Sequence, residues 1–205
     1  MTASQREPKT RRGRATRRKL LDAAAQEFGS KGYFATAVTD ITGRAGIAQG
    51  TFYIYFESKE AVFRALVLDM GRQLRQELSE AVAGAPDRIA AERQGMAYFI
   101  QFVRNHPHLY RIVMEAQFVD PPAFREYFTG FAEAYAINLA RAAERGEVRS
   151  GPTEERAWAL LGMSLFLGLR YGIWETERPA GEIADAVMEM VACGLLPDGG
   201  REEGR

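Results

Sequence analysis

Gln49, Gly50, Thr51, Tyr53 and Tyr55 fall within seven residues, and Lys59 follows four positions later. An amide such as that of Gln49 places a donor beside an acceptor, the pair that matches adenine N6 and N7. The Thr51 hydroxyl or methyl can meet a base edge or a thymine methyl, Ala48 offers an apolar contact, and Gly50 lets the backbone approach closely. Tyr53, Tyr55, Lys59 and the upstream hydroxyls of Thr36 and Thr39 suit phosphate oxygens, which fix register without reading sequence. Lys59 also falls in the first turn of an expected helix, where backbone N–H groups favour an anion.

The stretch Thr36–Lys59 must position these groups. It reads as two short helices joined by a tight turn. Ala37, Val38 and Ile41 share one side of the first helix, with Thr36 as its expected N-cap. Ala45-Gly46-Ile47 forms the turn, where Gly46 takes a positive φ without steric cost. The second helix, about 48–56, buries Phe52 and Phe56 and leaves Gln49, Gly50, Thr51, Tyr53 and Tyr55 on other faces. A short helix of small and polar groups after a glycine turn has the form of a recognition helix.

The pattern T-x-V-x-D-I-x-x-x-A-G-I-x-x-G-T-F-Y-x-Y-F-x-S-K-E at 36–60 resembles the TetR family of bacterial transcriptional regulators. The resemblance is strong over about 14–66 and elsewhere covers only the general plan. It implies an all-α protein: a three-helix, helix-turn-helix DNA-binding domain followed by a helical ligand-binding and dimerising domain, about nine helices in all. In such proteins the positions matching Thr36, Gln49, Thr51, Tyr53, Tyr55 and Lys59 commonly contact DNA. Arg44 is a further candidate, and Arg14, Arg17 and Arg18 are candidates for backbone or minor-groove contact. The resemblance also implies a homodimer on a palindromic operator, with repression relieved by a small molecule.

Net charge is zero across 205 residues, yet residues 1–20 carry eight Lys/Arg against one acid, Glu7. A basic end on a neutral chain suggests a local polyanion contact. The expected organisation is a disordered basic arm at 1–13, the DNA-binding domain at 14–57, the ligand and dimer domain at 58–197, and a flexible tail at 198–205. Within the first domain, Leu20, Leu21, Ala24 and Phe28 mark a buried helical stripe, and Tyr33 and Phe34 are expected to pack the turn that follows. Ser58 is the expected N-cap of a long fourth helix.

The middle helices are rich in aromatics. Phe99, Met114, Phe118, Phe128, Phe131, Tyr135, Phe166 and Trp174 are candidates to line an apolar cavity. Arg104 and Arg170 at its rim would suit a carboxylate or phosphate, so an apolar or aromatic effector, including an acyl-CoA, is the expected ligand class. One DNA-binding unit alone buries too little surface for tight specific binding, so a two-fold dimer is required. Its candidate surface lies on the last two long helices, at Gly162, Gly168, Gly172, Val187 and Val191. Three glycines inside one helix, each disfavoured by up to ~1 kcal/mol relative to Ala, need an offsetting close contact, and an intrachain contact is the competing explanation.

No catalytic constellation, cofactor motif or metal-ligand spacing emerges. His106 and His108 flank Pro107 without sharing a helix face. Cys193, the single cysteine, lies in an apolar helical pattern and is expected to be buried. The longest uncharged run, Ala157 to Leu169, is 13 residues; that is too short to span a bilayer and suggests a buried helix. A soluble cytoplasmic protein that is not an enzyme and needs no cofactor is expected. The rival readings are a helical protein-interaction module with a vestigial DNA unit, a ligand-independent DNA-binding protein, and a small-molecule enzyme.

Overall fold

The computed structural model describes residues 8–195, and among them every regular element is helical. In chain order these are α1 (Arg11–Lys31), α2 (Val38–Ala45), α3 (Gln49–Tyr55), α4 (Lys59–Ala81), α5 (Arg88–Asn105), α6 (Pro107–Val119), α7 (Pro121–Glu144), α8 (Thr153–Gly168), a π-helical turn (Leu169–Trp174) and α9 (Ala180–Leu195). They form two compact units. One takes the chain up to 71 together with 108–127; the other takes 72–107 and the chain from 128 onward. These units are cut differently from the domains expected at 14–57 and 58–197, because the first half of α4, most of α6 and the start of α7 pack with the N-terminal helices.

The first unit is built on aromatic packing. Phe28, Phe52 and Phe63 are fully buried with Leu20, Ile41 and Val62. Phe63 meets the Phe28 ring edge-on at 5.2 Å, and Phe52 lies 5.7 Å from Phe56. Ring pairs at such spacings add to the area they bury. The Thr10 hydroxyl accepts the Gly13 N–H, so α1 starts at Arg11, three residues before the expected 14. Within this unit α6 lies close against α1. A Cβ at Gly29 would stand 2.7 Å from that of His108, and both Glu115 carboxylate oxygens accept the Tyr33 N–H. Arg64 of α4 pairs with Asp120 at 3.0 Å.

The second unit has two apolar clusters. Leu139, Leu160, Met188, Val191 and Leu195 centre one, and Met96, Ile100, Ile183 and Ala184 the other. Between α5 and α7 sits a buried polar group: Arg88 pairs with Glu92, whose second carboxylate oxygen accepts the Tyr135 hydroxyl at 2.7 Å. At the end of α8 the Glu175 N–H reaches the Arg170 carbonyl at 2.9 Å, the i to i+5 bond of a π-turn. The periodicity predicts an uninterrupted helix there, since a π-turn has no side-chain signature.

Several expectations are corrected. Thr36 does not cap α2; Ala37 holds that position, and the Asp40 carboxylate accepts its N–H at 2.9 Å. Phe34 does not pack the turn and is 77% exposed. Cys193 is exposed rather than buried. The part of the expected arm at 1–7 and the expected tail at 198–205 lie outside the described residues, and 11–13 are helical.

Gly168 and Gly172 are explained inside the chain. A Cβ on Gly172 would lie 2.6 Å from Val103 Cγ1, and one on Gly168 would lie 2.7 Å from the Phe99 ring. Their contact is therefore with α5, the competing explanation for glycines placed at a dimer surface. Gly172→Ala is expected to lower the melting temperature by several degrees, since overpacking of ~1–3 kcal/mol outweighs the ~1 kcal/mol gained in helix propensity. Gly162→Ala, with nothing within 4 Å of the added methyl, is expected to leave it unchanged or slightly raised. Thermal melts of both variants decide this, and equal behaviour would contradict it.

Candidate nucleic-acid interface

The turn between α2 and α3 forms because Gly46 adopts φ 64°, ψ 36°, a left-handed conformation that side chains resist. The Ile47 N–H then reaches back to the Thr42 carbonyl at 3.0 Å. Phe52 is buried and anchors α3, a helix without any charged side chain. Ala48, Gln49, Gly50, Tyr53 and Ile54 are exposed, and Thr51 and Tyr55 are half-buried. Among the described residues, the Gln49 amide and the Tyr53 hydroxyl have no hydrogen-bond partner within the chain, so both remain available to a ligand.

The groups around α3 divide by what already holds them. Lys59 donates to the Tyr33 and Thr36 carbonyls, both at 2.9 Å, with its ammonium 4.3 Å from the centre of the Tyr33 ring. An ammonium has three donors, so one N–H is left for a phosphate. Thr39 is exposed. Thr36 is 2% exposed, and its hydroxyl donates to the Gly32 carbonyl at 2.8 Å; its side chain is therefore a structural pin rather than a phosphate ligand. Arg44 is held against α1 by Glu27 and by Gln26 at 3.0 Å. Arg17 stacks over Phe56 at 5.4 Å, and Arg18 pairs with Asp22 and Asp69. Arg14 bonds the Lys9 carbonyl at 3.1 Å. Arg17 therefore brings positive charge to the end of α3, while Arg14, Arg18 and Arg44 are held by other intrachain contacts. Ile54, 76% exposed, is the surface group that sequence reading omitted. Its place directly opposite Phe52 on the helix was the available signal.

Carboxylates fasten this unit. The Glu27 carboxyl is held below its ordinary range by Lys31 and then Arg44, that of Asp40 by the Ala37 N–H and Lys31, and that of Glu60 by the Tyr33 hydroxyl. Groups with depressed values add stability above the ordinary carboxylate range and lose it as pH falls through their folded values. Melting temperature is thus expected to stay level from pH 7 to about 5 and to fall steeply below about 4.5. A melt series over that range checks it, and a decline beginning near neutrality would contradict it.

The other candidate residues are distributed more widely. Met114 and Phe118 belong to the first unit, whereas the remaining ligand candidates belong to the second. Phe118, Phe166 and Trp174 are 78%, 69% and 65% exposed, which corrects their expected place in a cavity lining. Phe99 abuts Gly168, Arg75 lies over the buried Phe131 ring, Phe128 is half-buried, and Tyr135 is engaged by Glu92. Arg104 donates to the Tyr171 and Arg178 carbonyls at 2.9 and 2.6 Å, and Arg170 pairs with Glu175 at 2.5 Å. Both arginines are thus engaged within the chain.

Of the dimer candidates, Val191 is buried in the chain's own core and Val187 packs partly against both clusters. Gly162 keeps open space around it. An outward apolar line on α8 carries Trp158, Gly162 and Phe166, and α9 adds Met190. The helix Thr153–Trp174 is long and apolar enough to cross a membrane by length and composition, yet only 22% of its most apolar 18 residues are buried. The expectation of a buried helix therefore fails for the single chain.

Comparison with known proteins places this geometry. Residues 20–66 match the family described as bacterial regulatory proteins, tetR family. The uncharacterized HTH-type transcriptional regulator YdgC of Bacillus subtilis is 30% identical over 92% of this chain and 96% of its own length. The HTH-type transcriptional regulator EthR of Mycolicibacterium smegmatis is 32% identical over 68% and 67%. Among solved structures, the transcriptional regulator FadR of Bacillus subtilis in complex with stearoyl-CoA superposes with a TM-score of 0.72 at 18% identity, covering 86% of this chain and 98% of that one.

Proposed function

The chain belongs to the TetR family of helix-turn-helix transcriptional regulators, and we propose that it acts as a homodimeric repressor of a palindromic operator, released by a small apolar effector. The observation that carries this reading is the exposed surface of α3, with Gln49 and Tyr53 solvent-facing and unengaged on one flank while Phe52 is buried. Residues 14–57, with Lys59 at the start of α4, serve DNA, and the rest of 58–197 serves ligand and dimer. Gln49, Gly50, Thr51 and Ala48 read bases; Tyr53, Tyr55, Thr39 and the third N–H of Lys59 hold phosphates. Thr36 and Arg44 act indirectly, by fixing the loop before α2 and the end of α2. A regulator gripping bacterial DNA works in the cytoplasm, and no chemistry on the effector is required of it.

Support for the dimer comes from the apolar line Trp158–Gly162–Phe166 with Met190, which a second copy would cover to form an intersubunit four-helix bundle. Selection of duplexes from a random pool tests DNA binding: an enriched palindrome supports the reading, and the absence of enrichment overturns it.

For the effector, a protein of this fold holds stearoyl-CoA, so long-chain acyl-CoAs are the first ligands to try, followed by aromatic acids. Binding and operator release are coupled by population shift, and the coupling is reciprocal. An effector that weakens operator affinity about tenfold is therefore expected to bind about tenfold more weakly in the presence of operator. Titrations with and without duplex check this, and equal affinities would contradict the coupling. The in-chain engagement of Arg104 and Arg170 favours a second reading, a ligand-independent DNA-binding protein; absence of thermal stabilisation by either ligand class would select it.

A further inference from the structure

Ile54 has no task in the chain's own packing. Helical residues advance by about 100° each. Gly50 and Ile54 therefore both lie about 160° around α3 from Phe52, which is fully buried. They form the centre line of the outward face. Gln49 and Tyr53 lie on one flank, and Thr51 and Tyr55 on the other. The centre line thus consists of a glycine with open space above it and, one turn later, a large β-branched apolar side chain 76% exposed to water. A β-branched residue is a mediocre helix former, so neither local propensity nor core packing accounts for Ile54.

What covers Ile54 must be apolar where it touches and anionic around it. The anionic surroundings follow from the flank. Arg17 stacks on Phe56 directly after α3, Gly13 of the basic first turn of α1 lies beside the Tyr55 hydroxyl, and Lys59 opens α4. The major groove offers one apolar landmark within an anionic frame, the C5-methyl group of thymine. Resting on the DNA-binding reading above, we infer that Ile54 packs against a thymine methyl in each half-site and determines specificity at that base pair. Gly50, without a side chain, lets the helix settle deeply enough for this contact. A cytosine methylated at C5 presents the same group, so such a base at that position would be accepted in place of thymine.

The test uses the full-length protein and the best duplex selected from a random pool. Each thymine is replaced in turn by deoxyuridine, which removes only the methyl. One thymine per half-site is expected to lower affinity about fourfold when replaced, and about fifteenfold when replaced in both half-sites, the loss of one buried methyl per contact. In Ile54→Ala the same replacement is expected to change affinity less than twofold. At that position a C·G pair is expected to bind about fourfold more tightly when the cytosine is methylated, in the wild type only. Melting curves establish that Ile54→Ala is folded, and Ile54→Val, which keeps the branched methyls, is expected to retain thymine dependence. The inference is overturned if no thymine is sensitive in the wild type, or if sensitivity persists unchanged in Ile54→Ala. Either outcome leaves operator binding itself intact, whereas failure to select any duplex removes the DNA-binding reading.

Discussion

A variant carrying both Tyr53→Ala and Lys59→Ala is expected to bind its selected duplex about a thousandfold more weakly than the wild type. Each subunit loses two charge-assisted or hydroxyl contacts to phosphate, and two subunits lose four. At ~1 kcal/mol per contact this amounts to about 4 kcal/mol. Tyr53 is half exposed and its ring meets that of Phe52 edge-on at 5.3 Å, so its removal is expected to leave the fold intact at the cost of one ring contact. Lys59 has a second task, joining the Tyr33 and Thr36 carbonyls to the start of α4. The single Lys59→Ala variant is accordingly expected to lose DNA affinity and a few degrees of melting temperature, whereas Tyr53→Ala loses chiefly affinity, with a smaller change in melting temperature. Because phosphate contacts displace condensed counterions, the double variant should also show a shallower dependence of affinity on salt. Affinity within tenfold of the wild type at matched salt would contradict the assignment.

Replacing Arg88 with alanine is expected to cause the largest loss of stability. The Glu92 side chain is 2% exposed and that of Arg88 is 12% exposed. Arg88 also lies over the Tyr135 ring at 5.3 Å, and burial, then the Glu92 carboxylate, raises the Tyr135 hydroxyl well above its ordinary value. Without Arg88 the buried carboxylate keeps only the Tyr135 hydroxyl. Breaking such a pair from one side costs about 3–5 kcal/mol, which at this chain length lowers the melting temperature by about 8–15 °C. Adding Glu92→Gln to the Arg88→Ala variant removes the stranded charge and is expected to recover a substantial part of the loss. A drop below about 2 °C would contradict the buried-charge assignment.

The sequence made the DNA-binding half legible because its signals are local. Gly46 at the turn, Phe52 and Phe56 on the buried side of the second helix, and Ser58, whose hydroxyl accepts the Ala61 N–H at 3.1 Å, each act through neighbours within a turn or two. What it hid depends on partners in other elements. Thr36 reads as an N-cap, but its hydroxyl finds Gly32. Arg44 reads as a DNA contact, yet Glu27, 17 residues away, holds it. Gly168 and Gly172 read as a docking stripe, and α5 fills the space they leave. The aromatic residues of the later helices share a helical period that suits a core, a cavity wall and a subunit interface equally well. Only the fold separates Phe131, buried beneath Arg75, from Phe166, turned outward. Within 58–197 the pattern therefore gave the helices and left their faces to be assigned by the structure.

Whether two recognition helices act together is tested most directly by footprinting the selected duplex and weighing the complex in solution. The expected result is a pair of protected half-sites centred about 34–36 Å apart, one helical turn or a small multiple of it, with two copies of the chain per duplex. A single protected half-site carrying one copy, bound as tightly as the full palindrome, would contradict it.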